Sequence, residues 1–338
     1  MRFSLIPPNQ CLRDGARVFD FDGFIAQCRA AEAAGFSAIY TGEKHTGETS
    51  YSPNPMLLAG AALAHTAKID VGVGLSVLPI HHPTRIAEDA SMLNTMYNSR
   101  FRLAVGAGYF HGDFDPFGVS LDQRSERMEE GLAAIAAFNE GRSFTFSKGW
   151  TGTLPARDRA LAPAGPVYIG TSTRSGVRRA ARVANGWFSD PVRHIDWLVE
   201  FASAYRAECQ RLGRRSYVIL MREAWLGETD ESALDEYGEH ILNYSRLYVT
   251  RGNFYHPKWD PWMADIREPG DVTLGHVMPG RVLCGSATTW IDTLSEWQRL
   301  INPDEVLVRL SHYSGPPLAR TLEVIARIGR EIIPRFAQ

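Results

Sequence analysis

Three short segments hold the residue types that chemistry needs. Glu43-Lys44-His45 sets an acid, a base and an imidazole in succession; an imidazole can take and give a proton near neutral pH, and an ammonium can hold a developing anion. Gly72, Gly74, Gly106, Ala107 and Gly108 leave the ends of two apolar runs almost without side chains, so a flat ligand could lie against backbone there. Leu75 and Tyr109 flank those stretches. In the third segment, Gly170-Thr171-Ser172-Thr173-Arg174-Ser175-Gly176, hydroxyls and a guanidinium stand directly before a helical run. Open N–H groups at a helix start, with those donors beside them, suit an anion such as a phosphate. No Gly-Lys-Ser or Gly-Lys-Thr follows, so the segment is not a P-loop.

The elements that must position these residues follow from periodicity. Strand-like runs at 2–6, 36–40, 69–78, 101–106, 167–170, 186–190, 217–226 and 305–310 each precede a helix-like segment. Phe21, Phe24, Ile25, Cys28 and Ala31 show the helical spacing; Asn54 with Pro55, and Pro83, look like helix starts. Eight strand-helix units predict an α/β chain with a parallel sheet closed into a (β/α)8 TIM barrel over a single domain, residues 1–338. An open doubly wound sheet would want a glycine fingerprint after its first strand, where Pro7 and Pro8 stand instead. In a barrel all three segments fall just past strand ends and converge on one face. Segments 141–166 and 244–279 break the alternation and are expected to be insertions. The first suggests a small hairpin. The second, with Tyr244, Tyr248, Phe254, Tyr255, Trp259 and Trp262, suggests a lid over the site or a packed excursion.

Composition narrows the partners. With 36 basic and 38 acidic residues, a formal charge of −2 and no block of like charge, neither nucleic acid nor a membrane surface is an expected partner. The start lacks an export signal and no run is long and apolar enough to span a bilayer, which predicts a cytoplasmic protein. Cys11, Cys28, Cys209 and Cys284 are scattered and read as reduced thiols. There is no HExxH, no GxSxG and no EF-hand loop, and no histidine pairing suggests a metal. The acid pair Glu129 and Glu130 is expected to face solvent from an amphipathic helix.

The run from Arg100 to Gly118, with its Arg-Phe strand, glycine-rich turn, Asp-Phe and Phe-Gly, resembles the bacterial luciferase-like family of flavin-dependent enzymes, as does the Glu43-Lys44-His45 loop. Ser99 stands where that family usually has glycine. The resemblance extends over nearly the whole chain and implies a monooxygenase that takes reduced FMN from a separate NAD(P)H-dependent flavin reductase and uses O2 to oxidise a small-molecule substrate. It also implies a cis peptide at Gly74-Leu75 and a cofactor site made of Gly74, Leu75, Gly106, Ala107, Tyr109, Gly170, Ser172, Thr173 and Arg174. Lys44 replaces the histidine that is a catalytic acid/base in luciferase, while His45 matches the next one, so Lys44 and His45 are the catalytic candidates. Luciferase has a phosphate-binding arginine where this chain has Ala107; Arg174 or Arg178 could supply that charge. His82 matches a recurrent histidine, though capping the next helix explains it equally. The alternatives are an F420-dependent dehydrogenase or reductase and a flavin-binding protein without turnover. A homodimer is expected, with Met92, Leu93 and Met96 as candidate contacts.

Overall fold

In the computed structural model, which describes residues 1–45, 51–251 and 255–337, eight parallel strands close into a barrel. They are β1 (Arg2–Leu5), β2 (Ala38–Thr41), β3 (Asp70–Val77), β4 (Phe101–Gly106), β5 (Val167–Gly170), β6 (Gly186–Phe188), β7 (Val218–Leu226) and β8 (Glu305–Arg309). Each pairs with its neighbour in chain order; β7 pairs with β6 at Trp187 and Val218, and β8 with β1 at Arg2 and Glu305, which completes the ring. All eight coincide with the apolar runs of the sequence.

Strand alternation explains the two cores. Ile6, Tyr40, Ala104, Tyr168, Phe188, Ile219, Met221 and Leu307 fill the barrel interior, while the intervening residues meet the helices in one larger cluster. Those helices are α1 (Phe21–Ala33), α2 (Pro55–Ala64), α3 (Pro83–Met96), α4 (Arg124–Asn139), α5 (Arg174–Val183), α6 (Ile195–Arg211), α7 (Asp230–Arg251), α8 (Ala287–Leu300) and α9 (Leu318–Arg327). Asn54 caps α2 by accepting the Leu57 N–H at 3.0 Å, with Pro55 in the first turn. At the amino-terminal end of the strands the interior is ionic: Glu305 accepts from Arg102 at 2.9 Å and from the Tyr217 hydroxyl at 2.7 Å, and also binds the Ser4 hydroxyl. Arg102 reaches Asp70 as well, at 2.5 Å.

Several local features depart from the expectations. Glu130 is buried rather than solvated, because its carboxylate accepts three consecutive N–H groups, those of Ser147, Lys148 and Gly149, at 2.7, 3.0 and 2.7 Å. That fixes the 141–166 segment, whose Phe144–Thr145 and Thr153–Leu154 form a two-stranded hairpin. The irregular segment after α7 starts later than 244, since the helix runs on to Arg251 and carries Tyr244 and Tyr248; their spacing of four belongs to a helix face. Phe254 lies outside the described residues. Ser99 sits at φ 59°, a left-handed conformation that accounts for glycine being usual in the family.

Candidate active site

Side chains at the carboxyl ends of the strands converge around Glu43, which follows β2. Its side chain is fully buried. Oε2 accepts the Ser76 hydroxyl at 2.9 Å and the Val77 N–H at 2.6 Å; Oε1 accepts His45 Nε2 at 2.8 Å and also His81 Nε2. An ionised carboxylate only accepts, so both imidazoles present Nε2–H to it. Burial alone would raise the Glu43 pKa, but the bonds from His45, His81 and Val77 outweigh it and bring it down to about 2. The Glu43, His45 and His81 donor atoms all lie within 4.8 Å of one another, a separation that a metal ion would also accept. Here both imidazoles are spent on one carboxylate oxygen. Phe117 packs edge-on against both rings, at 4.7 Å from His45 and 5.6 Å from His81, and Asp113 accepts the His45 N–H at 3.1 Å.

Beside this cluster β3 carries a register shift between Val73 and Ser76, and the Gly74–Leu75 peptide there is cis. The Leu75 carbonyl accepts the Glu43 N–H at 3.3 Å, so bulge and acid are one unit. The glycines of neighbouring strands have a more local use than an open cradle. A Cβ on Gly170 would overlap Leu75 Cδ1 and lie 2.9 Å from its Cγ, and one on Gly106 would lie 3.1 Å from Cδ1. Leu75 therefore projects inward over the side-chain-free backbone of Gly106 and the half-buried Gly170. Gly170→Ala is expected to cost about 1–3 kcal/mol through overpacking and to weaken flavin binding, whereas Gly106→Ala leaves room for Leu75 to adjust. Urea titration and flavin titration of the two variants measure this; equal losses would mean that Leu75 does not depend on Gly170.

The Thr171–Ser175 turn opens α5. Thr173 caps the helix by accepting the Gly176 N–H at 3.0 Å, and there is no acidic residue in the first turn. Thr173, Arg174 and Ser175 are exposed. Ser172 is committed elsewhere: its hydroxyl donates to Asp190 at 2.5 Å, so it offers its backbone rather than that proton to an anion. Asp190, past β6, also pairs with Arg193 at 2.8 Å; burial pushes its pKa up, and Arg193 and Ser172 together bring it below the usual range. Arg174 meets Glu200 at 3.4 Å.

The opposite side of the mouth holds a cluster that sequence reading missed. Glu223, on the inward row of β7, pairs with Arg309 and His312, both at 3.0 Å, and accepts the Tyr237 hydroxyl at 3.1 Å. Tyr244 donates to the Tyr248 hydroxyl at 2.9 Å, and Tyr248 is hydrogen-bonded to Tyr109 in turn, so α7 reaches the loop after β4. The signal was available: a glutamate two residues past the inward Met221 shares its face of an otherwise apolar strand.

Other expectations settle locally. Lys44 pairs backbone to backbone with Ser52, its N–H and carbonyl both at 3.0 Å. His82 caps α3 by accepting the Thr84 N–H at 3.3 Å and packs edge-on against Phe146 at 4.9 Å, which is a structural use. Trp259 stacks on Trp197 of α6 at 4.8 Å, pinning the segment after α7. Met92 and Met96 are exposed on α3. Among the described residues no helix is long and apolar enough to cross a membrane.

The family model of the luciferase-like monooxygenases matches residues 1–302. The chain belongs to that family. Among its relatives is the oxygenase component of flavin-dependent trigonelline monooxygenase from Acinetobacter baylyi, 24% identical over 69% of this chain and 67% of that one. Luciferase-like barrels of known structure superpose over almost the full length. The oxygenating constituent of 3,6-diketocamphane monooxygenase from Pseudomonas putida, in complex with FMN, has a TM-score of 0.77 at 19% identity, covering 99% of this chain and 98% of that one. An F420-dependent secondary alcohol dehydrogenase has a TM-score of 0.75 at 15% identity, covering 98% of each. This luciferase-like chain is thus an oxidoreductase of a fold whose members use flavin or F420.

Proposed function

We propose that the chain is the oxygenase of a two-component system: it takes reduced FMN from a separate NAD(P)H-dependent flavin reductase in the cytoplasm and uses O2 to oxidise a small organic substrate. The observation that carries this reading is the joined unit of Leu75 and Glu43, with two imidazoles on one buried carboxylate beside an inward bulge. The residues present fit FMN. Gly106 and Gly170 let Leu75 stand as an apolar surface at the mouth, and the start of α5, with no acid in its first turn, offers N–H groups and the exposed hydroxyls of Thr173 and Ser175 to a phosphate.

Reduced flavin would supply the electrons for oxygen activation. The protein's share is position and proton control. Leu75 would support the ring, and Thr173, Ser175 and nearby amides would hold the phosphate. His45 and His81, aimed by Glu43 through Nε2, would hold or pass a proton at the mouth, and the joined Tyr109, Tyr248 and Tyr244 would limit water. Lys44 would contribute charge rather than proton transfer. A homodimer through α3 is part of this proposal, with Met92 and Met96 as exposed contacts.

Two measurements test it. Oxygen uptake with reduced FMN, together with parallel binding of FMN and F420, distinguishes the readings: preference for F420 without oxygen uptake would replace this proposal with a dehydrogenase, and flavin binding with no turnover on any substrate would leave only a carrier. Thr173→Ala should weaken FMN about tenfold while changing riboflavin little, because one charge-assisted hydrogen bond of about 1.5–3 kcal/mol goes to the phosphate. Equal weakening of both would move the phosphate elsewhere. The same substitution removes the α5 cap, so a stability loss of about 1 kcal/mol is expected alongside.

A further inference from the structure

Glu43 and Glu223 stand on two sides of the barrel mouth, each a buried carboxylate that holds three side chains, but the side chains differ. Glu43 aims two imidazoles. Glu223 aims a guanidinium: Oε1 takes Arg309 Nη1 at 3.0 Å, while Oε2 is occupied by His312 Nε2 at 3.0 Å and the Tyr237 hydroxyl at 3.1 Å. The carboxylate cannot rotate without breaking three contacts, so Arg309 is held in one direction. The Tyr237 hydroxyl shares its one proton between Glu223 and the Arg309 carbonyl, the latter at 3.2 Å, and so also touches the backbone of the same residue. The Arg309 guanidinium lies 4.9 Å from the Tyr244 ring centroid. Glu223 is 4% exposed and Arg309 19%, so the acid is sealed and the arginine side chain, largely buried against Tyr244, keeps a narrow exposed strip.

The pairing is single-point. One N–H of five is given to Glu223 and a second hydrogen bond joins the guanidinium to Tyr244, which leaves donors over, while the charge of Glu223 is divided between Arg309, His312 and Tyr237. A guanidinium so placed, flanked by the rings and hydroxyls of Tyr244 and Tyr248, has the planar donor edge that matches a carboxylate. Phosphate recognition falls to the start of α5, which has open amides, whereas the mouth is aromatic and has a single fork.

We infer that Arg309, aimed by Glu223 and walled by Tyr244 and Tyr248, anchors the substrate, and that the substrates of this mouth are small organic carboxylates whose apolar body lies among the aromatic rings. This rests on the reading of the mouth as an active site, and it is tested independently of flavin. Calorimetric titration of the full chain, with and without FMN, compares each acid with its uncharged amide: benzoate with benzamide, nicotinate with nicotinamide, hexanoate with hexanamide. At least one acid is expected to bind about tenfold tighter than its amide. Arg309→Met should bring that ratio to about one, and Arg309→Lys, which keeps charge but loses the fork, should give an intermediate ratio. FMN affinity should stay unchanged in both. No acid exceeding its amide in the unaltered protein overturns the inference, as does a full ratio persisting in Arg309→Met. Should Arg309→Met fail to fold, an undiminished ratio in Arg309→Lys overturns it. Loss of FMN affinity in Arg309→Met, with acids and amides bound equally, would give the guanidinium to the flavin instead. Acid preference without any flavin binding would sink the proposed cofactor and leave this substrate class standing.

Discussion

Arg102→Met is expected to cost about 3–5 kcal/mol of stability, because it strands a buried carboxylate. Glu305 is fully buried, and Arg102 provides the cation at 2.9 Å; Ser4 and Tyr217 then retain hydrogen bonds but supply no charge. Methionine fills the aliphatic volume and restores none of the electrostatics. The double variant Arg102→Met with Glu305→Leu should recover most of the loss, since replacing both members of a buried pair with apolar groups is often neutral. Urea unfolding of the three proteins decides it, and a single variant within about 1 kcal/mol of the parent would show that water or local rearrangement solvates Glu305. Flavin binding by the folded fraction should be unchanged, for Arg102 and Glu305 lie near the amino ends of β4 and β8, at the far end of the strands from the mouth.

The architecture was legible because its signals are local. Short apolar runs separated by helical periods marked all eight barrel strands, and Asn54-Pro55 marked a helix start through capping chemistry that needs only adjacent residues. Position at or just past a strand's carboxyl end was likewise enough to put His45, Leu75 and Thr173 on one end of the barrel, Leu75 from within β3 and the others from the loops after β2 and β5. What the sequence concealed were partners brought together by closure of the barrel. His81 joins Glu43 across 38 residues, Arg309 joins Glu223 across 86, and Arg102 joins Glu305 across 203. No local pattern encodes such pairs. Glu130 was misplaced for the same reason, since on a helical wheel nothing shows that a loop 17 residues later will bring its amides to the carboxylate. The glycines of β4 and β5 stood out in the sequence as room for a flat ligand, but what stands over Gly106 and Gly170 is Leu75 from β3, which no local pattern shows. Charged residues on the inward row of an apolar strand, such as Glu223, are the one long-range signal that alternation could have supplied.

Glu43→Gln should lower turnover by about 100-fold or more, the scale on which positioned acid-base groups act, and should also remove an acid-sensitive part of the fold. The amide keeps an oxygen acceptor but has no charge with which to orient two Nε2–H groups, and its NH2 must then face either those imidazoles or the Val77 N–H. The folded-state pKa of Glu43 is near 2 against an ordinary 4.5. A depressed carboxyl contributes stability that is complete above its unfolded pKa and is lost as the pH falls through the folded one. The window is therefore from about pH 4.5 down to about pH 2, and the contribution at neutral pH is about 3 kcal/mol. Unfolding free energies of parent and variant, measured at pH 7 and at several points below 4.5, should differ most at neutrality and converge as the acid window is crossed. Parallel curves would take Glu43 out of the acid response. Turnover has a separate test: once a substrate is known, His45→Gln and His81→Gln should each retain flavin binding and lose rate, and if Glu43 acts by aiming them, adding Glu43→Gln to either should cost far less than it does alone, because residues that work as a unit lose their function once.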